Sequence, residues 1–477
     1  MNLHPIFLFL VGFLWASLGL ARAADVRDFG AKGDGVADDR AAIQQAVNSG
    51  AGTIHFSRGT YRLSGTVVIA LDKIGCTSLA GEGTARIVMA AAGPAFKFVG
   101  THEGSADPKD FKANVWERQR TPMVDGLEIV GAHPEADGLE ATGTMQLTIT
   151  RVTVREARHG IHLTVRNRNV IISDCHLYHN RGVGVFYDHV NLHQSNIIGS
   201  HISYNAGGGV VSRGGAVRNL QIGTCDIESN MTPDGPPTAN VLLDCREGSI
   251  AEVAIVGCTL QHNPAPGGAN IRFLGKGEER GPVFASETTR WGHLTIANNV
   301  LSDVQVNIHV QHVRGVVIEG NTFGPGYEHD LLVEDSSNVV IGPNSFDRNP
   351  RYIYGVATAM NGGLVFRDSR DCTLTGLHIN GVRRKPGAVV LDRCDAFNLC
   401  NCTILDSDGP GLLLRGVSNS LVTGCLIRDN RTDRQPAPSL RVEGGSGNII
   451  ANNKLAHGSE SGPAGGAINS ASAPPAH

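Results

Sequence analysis

Along most of the chain, a pair of apolar residues brackets a small one in the order apolar-x-x-small-x-apolar. Ile172-Ser-Asp-Cys175-His-Leu177, Ile197-Ile-Gly-Ser200-His-Ile202, Ile222-Gly-Thr-Cys225-Asp-Ile227 and Ile255-Val-Gly-Cys258-Thr-Leu260 are consecutive copies. The central residue recurs at 152, 175, 200, 225, 258, 299, 321, 344, 377, 402, 425 and 453, twelve copies in all. The steps between them are 23, 25, 25, 33, 41, 22, 23, 33, 25, 23 and 28 residues. A floor near 22 with occasional excess describes a solenoid carrying loop insertions, because each repeat buries its face only against its neighbours. Two short strands flank each central bend, and a third follows, as in Val241-Leu242, Ile308-His-Val310 and Leu364-Val-Phe366. Three strands per coil predict an all-β fold: three parallel sheets around a narrow core, with equivalent residues of successive coils ~4.8 Å apart.

In-register coils stack like on like. The central positions then form an internal ladder of Cys, Asn, Ser and Val, residues small enough for the bend. A second ladder, Asn180, Asn205, Asn230 and Asn263, lies five residues after its central positions. Stacked amides satisfy backbone groups that a bend leaves unpaired. Most of the ten cysteines are thereby read as buried small residues rather than a disulfide framework. Cys225/Cys258 and Cys402/Cys425 sit on adjacent coils, within bridging reach. A ladder, however, points both side chains the same way, which suits the disulfide torsion poorly.

Composition adds to this picture. Sixty glycines and only 5% aromatic residues fit many short elements joined by turns. A net charge of −4 gives no footprint for nucleic acid or an anionic membrane. Residues 1–23 read as a signal peptide, with an apolar run from Ile6 to Leu20 and an Ala21-Arg22-Ala23 cleavage site. That predicts a secreted or periplasmic protein cleaved after Ala23. No later stretch is apolar enough to span a bilayer. Residues 24–100 form an N-terminal cap and first coils, 101–122 an inserted loop, 123–456 the repeats, and 457–477 a Gly/Ser/Ala/Pro-rich tail expected to be disordered.

The cap region opens Asp25-Val-Arg-Asp-Phe-Gly-Ala-Lys-Gly-Asp34-Gly-Val-Ala-Asp38-Asp39-Arg-Ala-Ala-Ile43-Gln-Gln-Ala-Val47, then Gly52-Thr-Ile-His-Phe56-Ser-Arg-Gly-Thr-Tyr61. Asp38 or Asp39 is placed to cap a helix running to about Asn48, with Ile43, Ala46 and Val47 as its apolar stripe. Together these two segments resemble the opening of the pectate-lyase-like superfamily, and the later repeats resemble its right-handed parallel β-helix. The resemblance covers roughly residues 25–456, with Ser57 standing where the strand-turn-strand usually has proline. It implies a polysaccharide lyase or glycoside hydrolase acting on an acidic or plant- or algal-type glycan. It also implies Ca²⁺ as cofactor if the protein is a lyase, and a monomer rather than a tailspike-like trimer. The N-T-D, D-D, G-H-G and R-I-K segments of polygalacturonases are absent from the repeats, as is the epimerase D-P-H segment. That departure keeps open a non-catalytic glycan-binding or surface structural module.

For chemistry, strand alternation turns the residue after each central position away from the core. This predicts an outward strip of His176, His201 and Asp226 as candidate catalytic groups, flanked by Tyr178 and Glu228. Tyr204, His179, Asp188 and Trp116 are candidate substrate contacts, with Asp188-His189 placed in a loop approaching the strip. His159-x-x-His162 and His176-x-x-His179 have no metal-site spacing, so no metal centre is expected. The segments 101–122 and 276–291 are expected to wall a groove.

Overall fold

A computed structural model describes residues 23–104, 107–262, 265–277, 279–280 and 288–462. The predicted leader and Asn263 lie outside the described residues. The chain winds through three parallel sheets, and each contributes one unbroken apolar line to the core.

In the first sheet the line runs Ile161, Val185, Val210, Val241, Ile271, Ile308, Leu331, Leu364, Val389, Leu412 and Leu440. In the second it runs from Ile172 through Ile197, Ile222, Ile255 and Ile296 to Ile318 and beyond. The third sheet stacks Val154, Leu177, Ile202, Ile227, Leu260 and Leu301. All of these side chains are buried. Each contributes roughly 1.5–3 kcal/mol by leaving water. A one-residue slip in any strand would expose its whole line.

The bends follow from backbone geometry. The residue before every central position except Asn344, which follows Pro343, adopts a left-handed conformation, as at Asp174 (φ 55°), Thr224 (φ 51°) and Asn298 (φ 56°). Asp and Asn tolerate that region better than most residues. The central amides then close the bend. Asn299 Nδ2 donates to Asn321 Oδ1 at 3.0 Å, and Asn321 Nδ2 to Asn344 Oδ1 at 3.0 Å. The second amide ladder passes from Asn180 to Asn205 to Asn230, then continues through Asn240, Asn270 and Asn307. It ends on Asp330, whose two carboxylate oxygens accept Gly326 N–H at 2.8 Å and Gly363 N–H at 2.7 Å.

The helix Arg40–Asn48 covers the open end of the solenoid and buries Ile43, Ala46 and Val47. Asp39 does not cap it through its side chain. Its buried carboxylate instead accepts Lys32 N–H at 2.5 Å and Gly33 N–H at 3.1 Å, fixing the preceding turn. Asp38 holds the helix start, accepting Arg40 N–H at 3.2 Å and Ser64 N–H at 3.1 Å. All ten cysteines are free thiols. The coils also extend past 456. Ser459–Ser461 pairs in parallel with Leu440–Val442, and His457 Nε2 accepts Asp429 N–H at 3.0 Å. Parallel pairing therefore runs on past the expected boundary at 456, because one more strand still finds a ladder to join.

Candidate functional site

The third-sheet strip assembles in register. His176, His201 and Asp226 stand side by side on successive coils, as do Tyr178, Ser203 and Glu228. The His176 and His201 rings meet edge to face at 5.0 Å, while His179 and Tyr204 stack at 5.1 Å. Tyr178 packs edge-on against His179 at 5.5 Å. Tyr204 Oη donates to Glu228 Oε1 at 3.5 Å, and His262 Nε2 lies 3.7 Å from Glu228 Oε2. His176 and His201 are exposed, while Asp226 Oδ1 is buried without a hydrogen-bond partner.

Asp188 does not join this strip. It is in a strand rather than a loop, within Val183–Ile198, where it forms part of the first sheet. There it lies beside Thr164 on one coil and Arg213 on the next. Its carboxylate is held from two sides. His162 Nε2 is 2.9 Å from Oδ2, and His189 Nδ1 is 2.7 Å from Oδ1. Burial alone would raise the Asp188 pKa, but the hydrogen bonds from His189 and His162 hold it below the usual carboxylate range. With Nε2 engaged, His162 Nδ1 is buried and has no partner.

Aromatic rings frame this group. Phe186 stacks on His162 with centroids 5.3 Å apart and an interplanar angle of 8°, and His159 lies 5.2 Å from His162. His159 Nδ1 accepts Val183 N–H at 3.1 Å, and burial depresses its pKa to about 4, so the ring is neutral. Beyond Phe186 the outward face of the sheet is an apolar floor that includes Val211 and Leu242. Arg213 is exposed and makes no side-chain hydrogen bond among the described residues. Sequence reasoning singled out Asp188 as a site residue, named His162 only in a spacing set aside for metal, and did not name Arg213. A signal for the pair existed: the coil step from Ile161 to Val185 sets His162 beside Phe186, two residues along the same strand from Asp188.

Further along the same sheet lies a second polar group. Arg272 Nε donates to His309 Nδ1 at 3.1 Å, and His309 Nε2 lies 3.1 Å from Glu334 Oε2. Arg367 Nη1 donates to Glu334 Oε1 at 2.9 Å. The His309 hydrogen bond, with Arg367 beside it, pulls the Glu334 pKa down to about 2. Trp116 lies in neither group. It is exposed in the 101–122 segment, stacked on Phe111 at 6.0 Å and covered by Arg120 at 4.3 Å. Among the described residues, no three or more His, Cys, Asp or Glu side chains gather as a metal site. No helix there is long and apolar enough to cross a membrane.

Comparison with known proteins agrees with this fold. The family model for rhamnogalacturonase A/epimerase, pectate lyase-like, matches residues 23–121, and that for the right-handed β-helix region matches 119–264 and 362–468. The chain belongs to the pectate-lyase-like family of right-handed parallel β-helix proteins. Mannuronan C5-epimerase AlgE6 of Azotobacter vinelandii is 30% identical over 175 residues, 33% of this chain and 19% of that protein. AlgE4 of the same organism is 52% identical over 44 residues, 8% of each chain. These matches span less than a fifth of either relative. The solved A-module of AlgE6 superposes with a TM-score of 0.32 at 16% identity, covering 95% of this chain and 100% of that one. The Dettilon tailspike gives 0.44 at 14% identity, covering 82% and 66%.

Proposed function

We propose that the protein is an exported enzyme acting on an acidic polysaccharide, removing the proton beside a uronate carboxylate in a groove along the first sheet. The observation that carries this reading is the His162–Asp188 pair, which leaves the buried His162 Nδ1 without a partner. A carboxylate on one ring nitrogen fixes the tautomer and supports the imidazolium that forms when the other takes a proton. In the proposed step, His162 Nδ1 takes the proton from the carbon bearing the carboxylate. The electron pair moves into that carboxylate, and Arg213 faces the charge that develops. Phe186 offers its ring as a floor for the sugar. Return of a proton on the opposite face gives epimerisation. Expulsion of the neighbouring glycosidic oxygen, protonated by His189, gives a lyase product. Stretches of 44 to 45 residues shared at 52–53% identity with mannuronan C5-epimerases support a uronate substrate.

Treating polymannuronate, polyguluronate and polygalacturonate with the protein in heavy water separates the outcomes. Deuterium at the carboxylate-bearing carbon without chain cleavage marks an epimerase, and ultraviolet absorbance from unsaturated ends marks a lyase. Unchanged turnover in His162→Gln would remove the assignment.

A second reading, a glycan-binding module without turnover, rests on the third-sheet strip. The stacked His179 and Tyr204 and the neighbouring His176 and His201 present ring faces and edges suited to a sugar chain. In this reading Tyr178, Asp226 and Glu228 supply its polar contacts. Binding to the panel with no deuterium uptake and no unsaturated ends would favour it.

A further inference from the structure

The second sheet carries a cationic and aromatic surface that neither polar group of the first sheet uses. Beyond the bend at Val165, Arg168, His193 and Arg218 are direct ladder neighbours on three successive coils. Successive positions lie ~4.8 Å apart, so the two guanidiniums stand about 10 Å apart with His193 between them. Arg166 sits one pleat away on the first of these coils. The two inserted segments flank this row. On one side Phe111 lies under the Arg168 guanidinium at 4.5 Å and stacks on Trp116. On the other, Trp291 lies under the Arg218 guanidinium at 4.6 Å.

Many outward arginines meet carboxylates, as in Arg86–Glu128 at 2.6 Å, Arg158–Asp137 at 2.6 Å, Arg246–Asp244 at 2.7 Å and Arg415–Glu443 at 2.9 Å. Arg166 and Arg218 instead donate to neutral oxygens. Arg166 Nη1 meets Gly104 O at 2.6 Å, and Arg218 meets Val217 O, Ser249 O and Ser249 Oγ at 2.9–3.1 Å. Both guanidiniums are partly buried, which costs solvation that no carboxylate hydrogen bond returns. His193 stands between them, where burial and then the charges of Arg218, Arg168 and Arg166 disfavour its protonation. In a chain of net charge −4, a partly desolvated positive row faced by aromatic rings suits an external anion.

We infer that this row is an anchoring subsite for a polyanionic glycan, built to take carboxylates on a chain lying along the solenoid axis. Stacked rings at both ends fit the faces of sugars, and in-register cations fit a charge repeated along an extended chain. The inference deepens the proposed function by naming the surface that holds the acidic polymer, and it stands on the second sheet rather than on the catalytic pair.

Binding, not turnover, tests it. Titrate the protein with oligomannuronate by calorimetry, alongside Arg166→Ala, Arg218→Ala, Trp116→Ala and His309→Gln. The arginine and tryptophan variants should each bind about tenfold more weakly, with a shallower salt dependence for the arginine variants. His309→Gln should bind as the parent does. Arg218→Lys restores charge without the planar stack and should fall between. Melting curves confirm that each variant is folded. Parent-like binding by both arginine variants would overturn the subsite, as would equal binding of a neutral glucan or of single-stranded DNA. Tight binding that depends on the arginines, without turnover by the parent, would leave the subsite standing and remove the catalytic reading. A sulfated glycan binding better than the uronate would overturn the carboxylate assignment.

Discussion

Two rows of the first sheet carry the same residue types in opposite states. In one, His309 has both ring nitrogens engaged, Nδ1 by Arg272 and Nε2 by Glu334, and Arg367 completes the row. Two cations and one anion enclose a histidine that has nothing left to offer. In the other, His162 leans on Asp188 through Nε2 while Nδ1 remains unpartnered, and Arg213, between Asp188 and Asp244 on the ladder, makes no side-chain hydrogen bond among the described residues. Stacking His, Asp, Glu and Arg at strand spacing is therefore not enough to make a reactive group. A closed row stabilises, and an open one is available to a ligand. Buried unpaired atoms are uncommon because they cost roughly 1–3 kcal/mol each, so one beside a His–carboxylate pair marks a place where substrate is expected.

Breaking each row tells them apart. The largest expected effect is on turnover: His162→Gln should lower kcat by about 10²–10⁴-fold, the usual contribution of a positioned base. His309→Gln should leave kcat within about twofold. Steady-state rates on the responsive uronate polymer check both. Asp188→Asn should follow, with a loss of about 10–10²-fold and little change in KM, because the imidazole loses its orienting partner but stays in place.

The closed row should show itself in stability instead. Glu334→Gln should cost about 1–3 kcal/mol in urea unfolding at pH 7, since it strips His309 and Arg367 of their shared anion. The sign with pH is fixed by the depressed value: Glu334 at about 2, against 4.5 for the free group, stabilises fully above pH 4.5. That contribution fades as pH falls toward 2, so the Glu334→Gln difference should shrink in acid. The smallest effect belongs to the open row. His159 titrates at about 4 when folded and near 6.5 when free, so its neutral burial stabilises above pH 6.5 and is lost as pH falls toward 4. His159→Gln should flatten the stability curve over that window by about 1–2 kcal/mol. A curve parallel to the parent's would show that His159 is not held neutral.

Much of this was legible before any coordinates. The Ile172, Ile197, Ile222 and Ile255 line, the Leu177 to Leu260 line and the Asn180–Asn205–Asn230 ladder can be read from spacing alone. Strand alternation and coil stacking impose a rule that repeats every turn. The third-sheet strip was legible for the same reason, since it lies one and three residues from the repeat that defines the register. The His162–Asp188 pair was not, although Asp188 stood out. It lies across the variable stretch between the third and first sheets, where 179–183 can be threaded without a fixed offset. The amide ladder took an unexpected turn for the same reason. Asn230 hands on to Asn240, only ten residues away, because the inserted segment brings another coil position to the same bend.

By itself the sequence determined the coil repeat from 152 to 453, the three apolar lines, the capping helix and the fate of most cysteines as ladder residues, while the ladders run on through earlier coils such as Val67, Phe96 and Leu139 that the repeat did not mark. These depend on local periodicity, and a parallel solenoid converts local periodicity directly into contacts. Only the tertiary structure decided which outward side chains meet: that Asp188 turns to His162 rather than to His176, and that the two insertions reach Arg168 and Arg218. It also decided that one histidine is enclosed while another keeps a bare nitrogen. Those outcomes depend on loop lengths between sheets and on how charges pair across coils, and both are set only once all three sheets are in register.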